Sequence, residues 1–372
     1  MIFEKKNKRK LIPTFALILS AVICTSVGLT ACNSKNYGVV PDNDFHTPVQ
    51  YAYINDDYNN VSAYASGIKE LSKPNAIILD YSDIDKSTVY CVEYADNAEF
   101  YDSTIVEGVK SKKYEVYNLK LEQELYWRAA ENELGLKNAT TRHMTIASQG
   151  PRNIYIDGVT NVRDIGGYNS YLVEGAKIRQ GLYFRGAAFD SYSNGKSNIL
   201  ITDKGKNELL RLGIKKEIDL RDEYECNGPY IDGIEYNAIS IPMGTESTRF
   251  EAFAEEYKHI FTIIANADQT PVYLHCSAGA DRTGISTFML LMVCGVSYED
   301  AARDYLFTNF STNGPRALHS EFDIWYSKLD NFHGATKADK AKSWLISKGV
   351  SEEQVERIRE VFVEGYIPAN AN

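Results

Sequence analysis

The sequence predicts an α/β domain, a central and mostly parallel sheet flanked by helices, preceded by a small all-β sandwich domain. From about residue 51 to 150, short β-rich runs recur between polar, turn-like stretches. From Asn153 onward, strand and helix patterns alternate, as a layered α/β fold requires. The chain has 372 residues, more than one ordinary core accommodates, so two domains are expected.

The first segment is not read as fold. A basic stretch, Lys5 to Lys10, precedes an apolar run from Leu11 to Gly28, about the length of a signal-peptide core. Leu29-Thr30-Ala31-Cys32 follows and resembles the bacterial lipobox, in which the Cys is lipid-modified and becomes the mature N-terminus. That resemblance implies a signal peptide over 1–31, lipidation at Cys32, and an exported protein anchored to the outer face of a bacterial cell membrane. Residues 32–50 are polar, carry Pro and Gly, and read as a tether.

Over 51–150 the strand candidates are Ala76–Leu79, Ser87–Tyr94, Tyr114–Leu119, Leu125–Ala129 and His143–Ala147. Tyr114–Leu119 followed by Glu124–Arg128 is similar to one corner of a fibronectin type III repeat, which implies a sandwich serving as a spacer or as a binder of substrate or cell wall. Over 151–366, Asn153–Ile156, Ile214–Leu220 and Pro271–His275 read as strands. Thr202 caps a helix running to about Leu212. Phe250–Ala265 carries one apolar stripe and predicts a single helix. Gly284–Cys294 is an apolar helix, Ser297 caps the next, and Ser351 with Gln354 forms a capping box before the last.

The net charge is −10, and removal of residues 1–31 leaves the chain near −14. An acidic chain disfavours nucleic acid as a partner. Cys91, Cys226, Cys276 and Cys294 lie in the remaining chain without a CxxC pair, so a zinc site is not expected, and a Cys91–Cys226 disulfide stays open.

The chemistry concentrates in His275-Cys276-Ser277-Ala278-Gly279-Ala280-Asp281-Arg282-Thr283-Gly284. A strand delivers Cys276, a small loop containing Gly279 turns its amides inward, and a helix begins near Arg282. Such a loop is an anion nest at a helix N-terminus. The same field can bring a thiol from roughly 8.5 into the range of about 3.5–7.5. Arg282 offers a planar fork for two phosphate oxygens. Thr283 can donate to the sulfur, and His275 orders the loop. Ser277, Ala278, Gly279, Ala280, Thr283 and Gly284 are the substrate-binding candidates. The expected reaction is a double displacement through phosphocysteine, with no cofactor or metal.

The loop resembles those of the cysteine phosphatases. Asn161-Val162-Arg163-Asp164-Ile165-Gly166-Gly167-Tyr168 is similar to the signature of the bacterial tyrosine-phosphatase family with lipid-phosphatase-like loops. Gly181–Ala187, Leu212–Ile214 with Asp219-Leu220-Arg221, and Asp304-Tyr305-Leu306 fit its further blocks, so the resemblance covers roughly residues 150–365. It implies activity on phosphotyrosine, often with phosphoserine, phosphothreonine or phosphoinositides. The partner is then a phosphorylated protein or a small phosphomonoester.

The general acid is open among Asp281, Asp219 and Asp222, with Asp281 favoured by its shorter path to the leaving group. Asn161, Arg163 and Asp164 are expected to support the loop. Ala280 stands where lipid-active relatives carry Lys, which weakens a phosphoinositide reading. The alternatives are an inositol-polyphosphate phosphatase, against which Ala280 and the acidic chain also argue, and non-catalytic capture of phosphorylated ligands.

Overall fold

The computed structural model describes residues 37–84, 87–242, 244, 246–312 and 314–368. The expected signal peptide and Cys32 lie outside them. The chain divides into two compact units. Of the described residues, one holds 37–39, Leu79–Tyr114 and Glu124–Met144, and the other holds Val40–Ile78, Glu115–Gln123 and 145–368. Among the described residues no helix is long and apolar enough to cross a membrane.

The strands of the first 150 residues are β1 (Ile77–Asp80), β2 (Tyr90–Ala95), β3 (Thr104–Val109), β4 (Lys113–Val116), β5 (Glu124–Ala130) and β6 (Arg142–Thr145). In the smaller unit β2, β3, β5 and β6 form one sheet in the order β3-β2-β5-β6, with β2 antiparallel to both neighbours. Four of the six strands overlap the runs at Ser87, Tyr114, Leu125 and His143, and β1 overlaps the run at Ala76; β3 was not signalled.

The expected boundaries shift. Pro48–Ile54 is a helix, α1, with Thr47 and Gln50 forming a capping box. Tyr53, Ile54 and Val61 belong to the core of the larger unit, because their apolar faces pack there and not in the sheet. Asp44 and His46, expected in the tether, are buried. Asp44 Oδ1 accepts from the His46 amide at 2.8 Å and from the Ser148 hydroxyl at 3.1 Å.

The remaining strands are β7 (Arg152–Asn153), β8 (Arg163–Asp164), β9 (Tyr183–Gly186), β10 (Asp190–Ser193), β11 (Lys196–Ile199), β12 (Lys216–Asp219), β13 (Glu235–Ala238) and β14 (Val272–His275). Six of them make a mixed sheet in the order β13-β12-β14-β9-β8-β7. The pairs β13/β12, β12/β14 and β14/β9 are parallel, and β9/β8 and β8/β7 are antiparallel. Side chains alternate across this sheet. Val272 and Leu274 enter the large core on one face, and Tyr273 enters the smaller core on the other. Such burial on both faces explains why PVYLH reads as an unbroken apolar run.

The helices are α2 (Glu133–Leu136) in the smaller unit, then α3 (Asp203–Arg211), α4 (Glu246–Glu251), α5 (Ala254–Ala265), α6 (Asp281–Val293), α7 (Tyr298–Leu306), α8 (Phe322–Lys328), α9 (Lys337–Ser347) and α10 (Glu352–Phe362). Thr202, Ser297 and Ser351 cap α3, α7 and α10 through their side chains, as expected. The single helix expected over Phe250–Ala265 is two: Phe253 takes φ 59°, a left-handed conformation that ends the α4 segment and starts α5.

Candidate active site

β14 ends at His275, between β12 and β9 in the sheet, and the chain then turns through 276–280 into α6. Ligands in open α/β sheets bind beyond the carboxyl ends of such strands. Cys276 is the first residue past that end, and it is buried.

The loop's shape is held from behind by its carbonyls. Asn161 Nδ2 donates to the Ala278 and Gly279 carbonyls at 3.0 and 3.3 Å. Arg185 Nη2 donates to the Gly279 carbonyl at 2.8 Å. In a planar trans peptide the N–H points opposite the C=O, so the amides that follow these carbonyls face the other way, into the loop. Gly279 has φ +66°, and a Cβ there would lie 2.1 Å from the Gly186 carbonyl oxygen, so the position requires glycine.

Asn161 and Arg185 are themselves fixed. Arg163 Nη1 donates to Asn161 Oδ1 at 2.7 Å, and Arg163 Nε donates to Asp304 Oδ1 at 2.8 Å. Arg185 Nη1 donates to Asp304 Oδ2 at 2.6 Å. One buried carboxylate therefore holds two buried guanidiniums. Burial works against ionisation of Asp304, but Arg163 and Arg185 outweigh it and hold the carboxyl below its ordinary range. Asp164 supports the neighbouring turn: its oxygens pair with Arg152 Nη1 at 2.5 Å and accept from the Gly166 amide at 3.0 Å.

Arg282 Nη1 donates to the Leu220 and Ile241 carbonyls, each at 3.3 Å, and Nη2 donates to the Ser277 hydroxyl at 3.2 Å. Among the described residues Nε–H and one Nη2–H have no protein acceptor, which leaves them for phosphate oxygens. Burial pushes the Cys276 thiol up, yet the Arg282 charge and the Thr283 hydroxyl and amide outweigh it, and the thiol lies below its ordinary value. His275 Nε2 meets Glu217 Oε1 at 3.0 Å and Nδ1 lies 3.3 Å from the Cys276 carbonyl, so the ring anchors the strand end.

The acid candidates separate by geometry. Asp219 is fully buried, and Arg221 grips it through Nε at 2.9 Å and Nη2 at 2.8 Å, while the Tyr236 hydroxyl donates to it at 3.1 Å. Burial raises its pKa, but His275 and Arg221 outweigh burial and keep it ionised. An enclosed carboxylate has no path to a leaving group. Asp281 is partly exposed and sits at the first turn of α6, where Arg316 Nε and Nη2 bind its two oxygens at 2.6 and 2.9 Å. Asp222 lies on the loop after β12 and accepts weakly from Tyr224 at 3.4 Å. Arg185, Asp304 and Arg316 escaped the reading of the sequence as site residues. Arg185 and Asp304 stood inside recognisable blocks, but Arg316 lies in a segment without periodicity.

Among the described residues no disulfide joins Cys91, Cys226, Cys276 or Cys294 to one another. A cavity of about 330 Å³ lined by Leu121, Tyr168, Lys177, Gln180, Asp300 and Arg303 contains none of the loop residues.

A depressed thiol, an inward-facing amide loop and an arginine fork at the end of a parallel strand define a cysteine-dependent phosphatase. The chain belongs to the tyrosine phosphatase family, whose model matches residues 154–364. A tyrosine-protein phosphatase of Nostoc commune is 28% identical over 205 residues, covering 43% of this chain and 69% of that one. Two solved structures of TpbA from P. aeruginosa are also similar. The one in complex with phosphotyrosine has 13% identity and a TM-score of 0.29 and covers 46% of this chain and 88% of that one. The other has 15% identity and a TM-score of 0.25 and covers 48% and 85%. The site and the family match carry the assignment.

Proposed function

We propose that the protein hydrolyses phosphotyrosine in proteins through a phosphocysteine intermediate, with Asp281 as proton donor. The thiolate at Cys276 inside its amide loop, opposite the free edge of Arg282, is the observation that carries this reading. The Cys276 sulfur attacks phosphorus in line as the P–O bond to the tyrosyl oxygen breaks, and Asp281, protonated for this step, gives its proton to that oxygen. Asp281, now a carboxylate, takes a proton from water as the water oxygen attacks phosphorus. The S–P bond breaks, and inorganic phosphate leaves. Loop amides and Arg282 balance the phosphoryl charge throughout.

Arg316 must release Asp281 for the carboxyl to carry a proton, so donor and clamp act in turn. Ala280 removes the cation that a polyanionic headgroup would use, and Asp222, Glu223 and Glu225 stand on the loop after β12. Both features favour a single phosphate over an inositol polyphosphate or phosphoinositide. The family resemblance keeps phosphoserine and phosphothreonine as secondary substrates. Placement is part of the proposal: the lipobox-like Leu29–Cys32 supports a lipid-anchored, exported enzyme, and the strand-rich stretch after the anchor supports a β-domain acting as spacer.

Turnover of a phosphotyrosine peptide, inositol hexakisphosphate and phosphatidylinositol phosphates, measured side by side, tests the substrate. The expected result is highest kcat/KM on the peptide. Turnover of the inositol substrates alone overturns the reading.

A further inference from the structure

Two tyrosines beside the catalytic loop have no part in the chemistry above. Tyr224 belongs to the loop that follows β12, and the residue is 64% exposed. Tyr192 belongs to β10, the first strand of the β10–β11 hairpin that follows β9. In the sheet β12 and β9 flank β14 on opposite sides, with Asp219 level with His275 and His275 level with Gly186. The two tyrosines thus lie on the segments that follow the two strands flanking the one that delivers Cys276. Their rings meet with centroids 5.6 Å apart and planes tilted by 60°.

Arg221 links the two segments, pairing with Asp219 at the end of β12 and with Asp190 at the start of β10 at 2.8 Å. Tyr230 adds a 2.9 Å hydrogen bond to Asp190. The Leu220 carbonyl, which accepts from Arg282, lies four residues before Tyr224, so the loop starts at the phosphate-binding guanidinium. Electrostatics agree: Asp222 and Glu225 push the Tyr224 phenol up, and Arg282 pulls it down across the same space. Tyr224 therefore stands exposed beside the end of the strand pair that carries the phosphate-binding arginine's carbonyl partner.

We infer that Tyr224, backed by Tyr192, is the wall on which the substrate's phenyl ring lies, and that Asp222, Glu223 and Glu225 around it select phosphotyrosine flanked by basic residues. The inference rests on the phosphotyrosine reading and adds a specificity determinant to it. Aromatic pairs prefer tilted or offset contacts, and the tilted pair with Tyr192 leaves Tyr224 exposed to an incoming ring. The acidic side chains attract Lys or Arg beside the phosphotyrosine and repel a second phosphate.

Steady-state kinetics on the full chain test this, with inorganic phosphate as a competitive inhibitor that reports on the loop alone. Tyr224→Ala should raise KM for a phosphotyrosine peptide by about tenfold, the order one aromatic contact supplies. It should leave kcat and the inhibition constant for phosphate unchanged, and Tyr224→Phe should behave as wild type. Lysine-flanked peptides should exceed glutamate-flanked ones in kcat/KM, and Glu223→Lys with Glu225→Lys should close the gap. An unchanged KM, or phosphate inhibition weakened in step with KM, overturns the wall. Equal turnover of the two flanked peptides overturns the charge selection. A wild-type enzyme inactive on phosphotyrosine but active on inositol phosphates fails at the substrate reading instead, and that outcome is visible before any variant is made.

Discussion

Cys276 is a thiol placed where burial alone would make it inert. What reverses that is one guanidinium and a hydroxyl–amide pair, and this balance sets the first prediction. A thiol whose pKa is lowered in the folded protein is thiolate from a lower pH upward. Alkylation of Cys276 by iodoacetamide should therefore reach its plateau below the pH at which a free thiol does, and Arg282→Lys should move the midpoint up while cutting kcat by roughly 100-fold or more. Gly279→Ala tests the loop itself. It adds a Cβ against the Gly186 carbonyl at a positive φ, which costs on the order of 1–3 kcal/mol in strain, so both phosphatase activity and the thermal midpoint should fall. At this scale the sequence was highly legible. Cys276, Arg282 and Gly279 are contiguous, and chemistry packed into ten residues needs no fold to be seen. Asp219 shows the limit: its motif points to function, and only the fold reveals that Arg221 and Tyr236 consume it. Arg316 was invisible for the same reason, as its partner Asp281 is 35 residues away.

The elements turn that loop into a site through a buried network between β8, β9 and α7. Asp304 pairs with both Arg163 and Arg185, and those two hold Asn161 and the loop carbonyls. Asp304→Ala leaves two buried cations unpaired and should cost about 3–5 kcal/mol in chemical denaturation. The pH dependence has a definite sign. The folded carboxyl of Asp304 lies below its ordinary range, so its stabilisation is complete above the carboxylate pKa of the unfolded chain. It is lost as pH falls towards the folded value. The variant should accordingly lose the part of the acid-side stability decline that wild type owes to this pair. Motif blocks announced each of the three residues, but their pairing spans 119 and 141 positions and leaves no periodic trace. Helix caps were legible because a cap and its amide sit three residues apart. The break at Phe253 was not, since no glycine or proline marks it.

For the whole molecule, the chain's division does not follow a single cut near residue 150. Residues 40–78 and 115–123 fold with the catalytic unit. Tyr53 packs against Phe307 and Phe310, and the Ser72 hydroxyl accepts from the Asn161 amide at 2.9 Å. A fragment of residues 151–372 should consequently have a lower thermal midpoint than the full chain and reduced activity, which differential scanning calorimetry and turnover would register; equal stability would show that the preceding segment is dispensable. Composition gave the two textures correctly, β-rich and then alternating, but a texture change marks where element types switch, not where a core ends. Short segments such as Pro48–Ile54 cross that line because their apolar residues find partners hundreds of positions away.

The central claim is that phosphate passes through the sulfur of Cys276. Rapid acid quench of enzyme mixed with phosphotyrosine peptide, followed by peptide mass spectrometry, tests it directly. The expected result is one added phosphoryl group on the peptide carrying Cys276, present in wild type and absent in Cys276→Ser. Phosphate release with no phosphoryl group on that peptide, or turnover retained by Cys276→Ser, would contradict it.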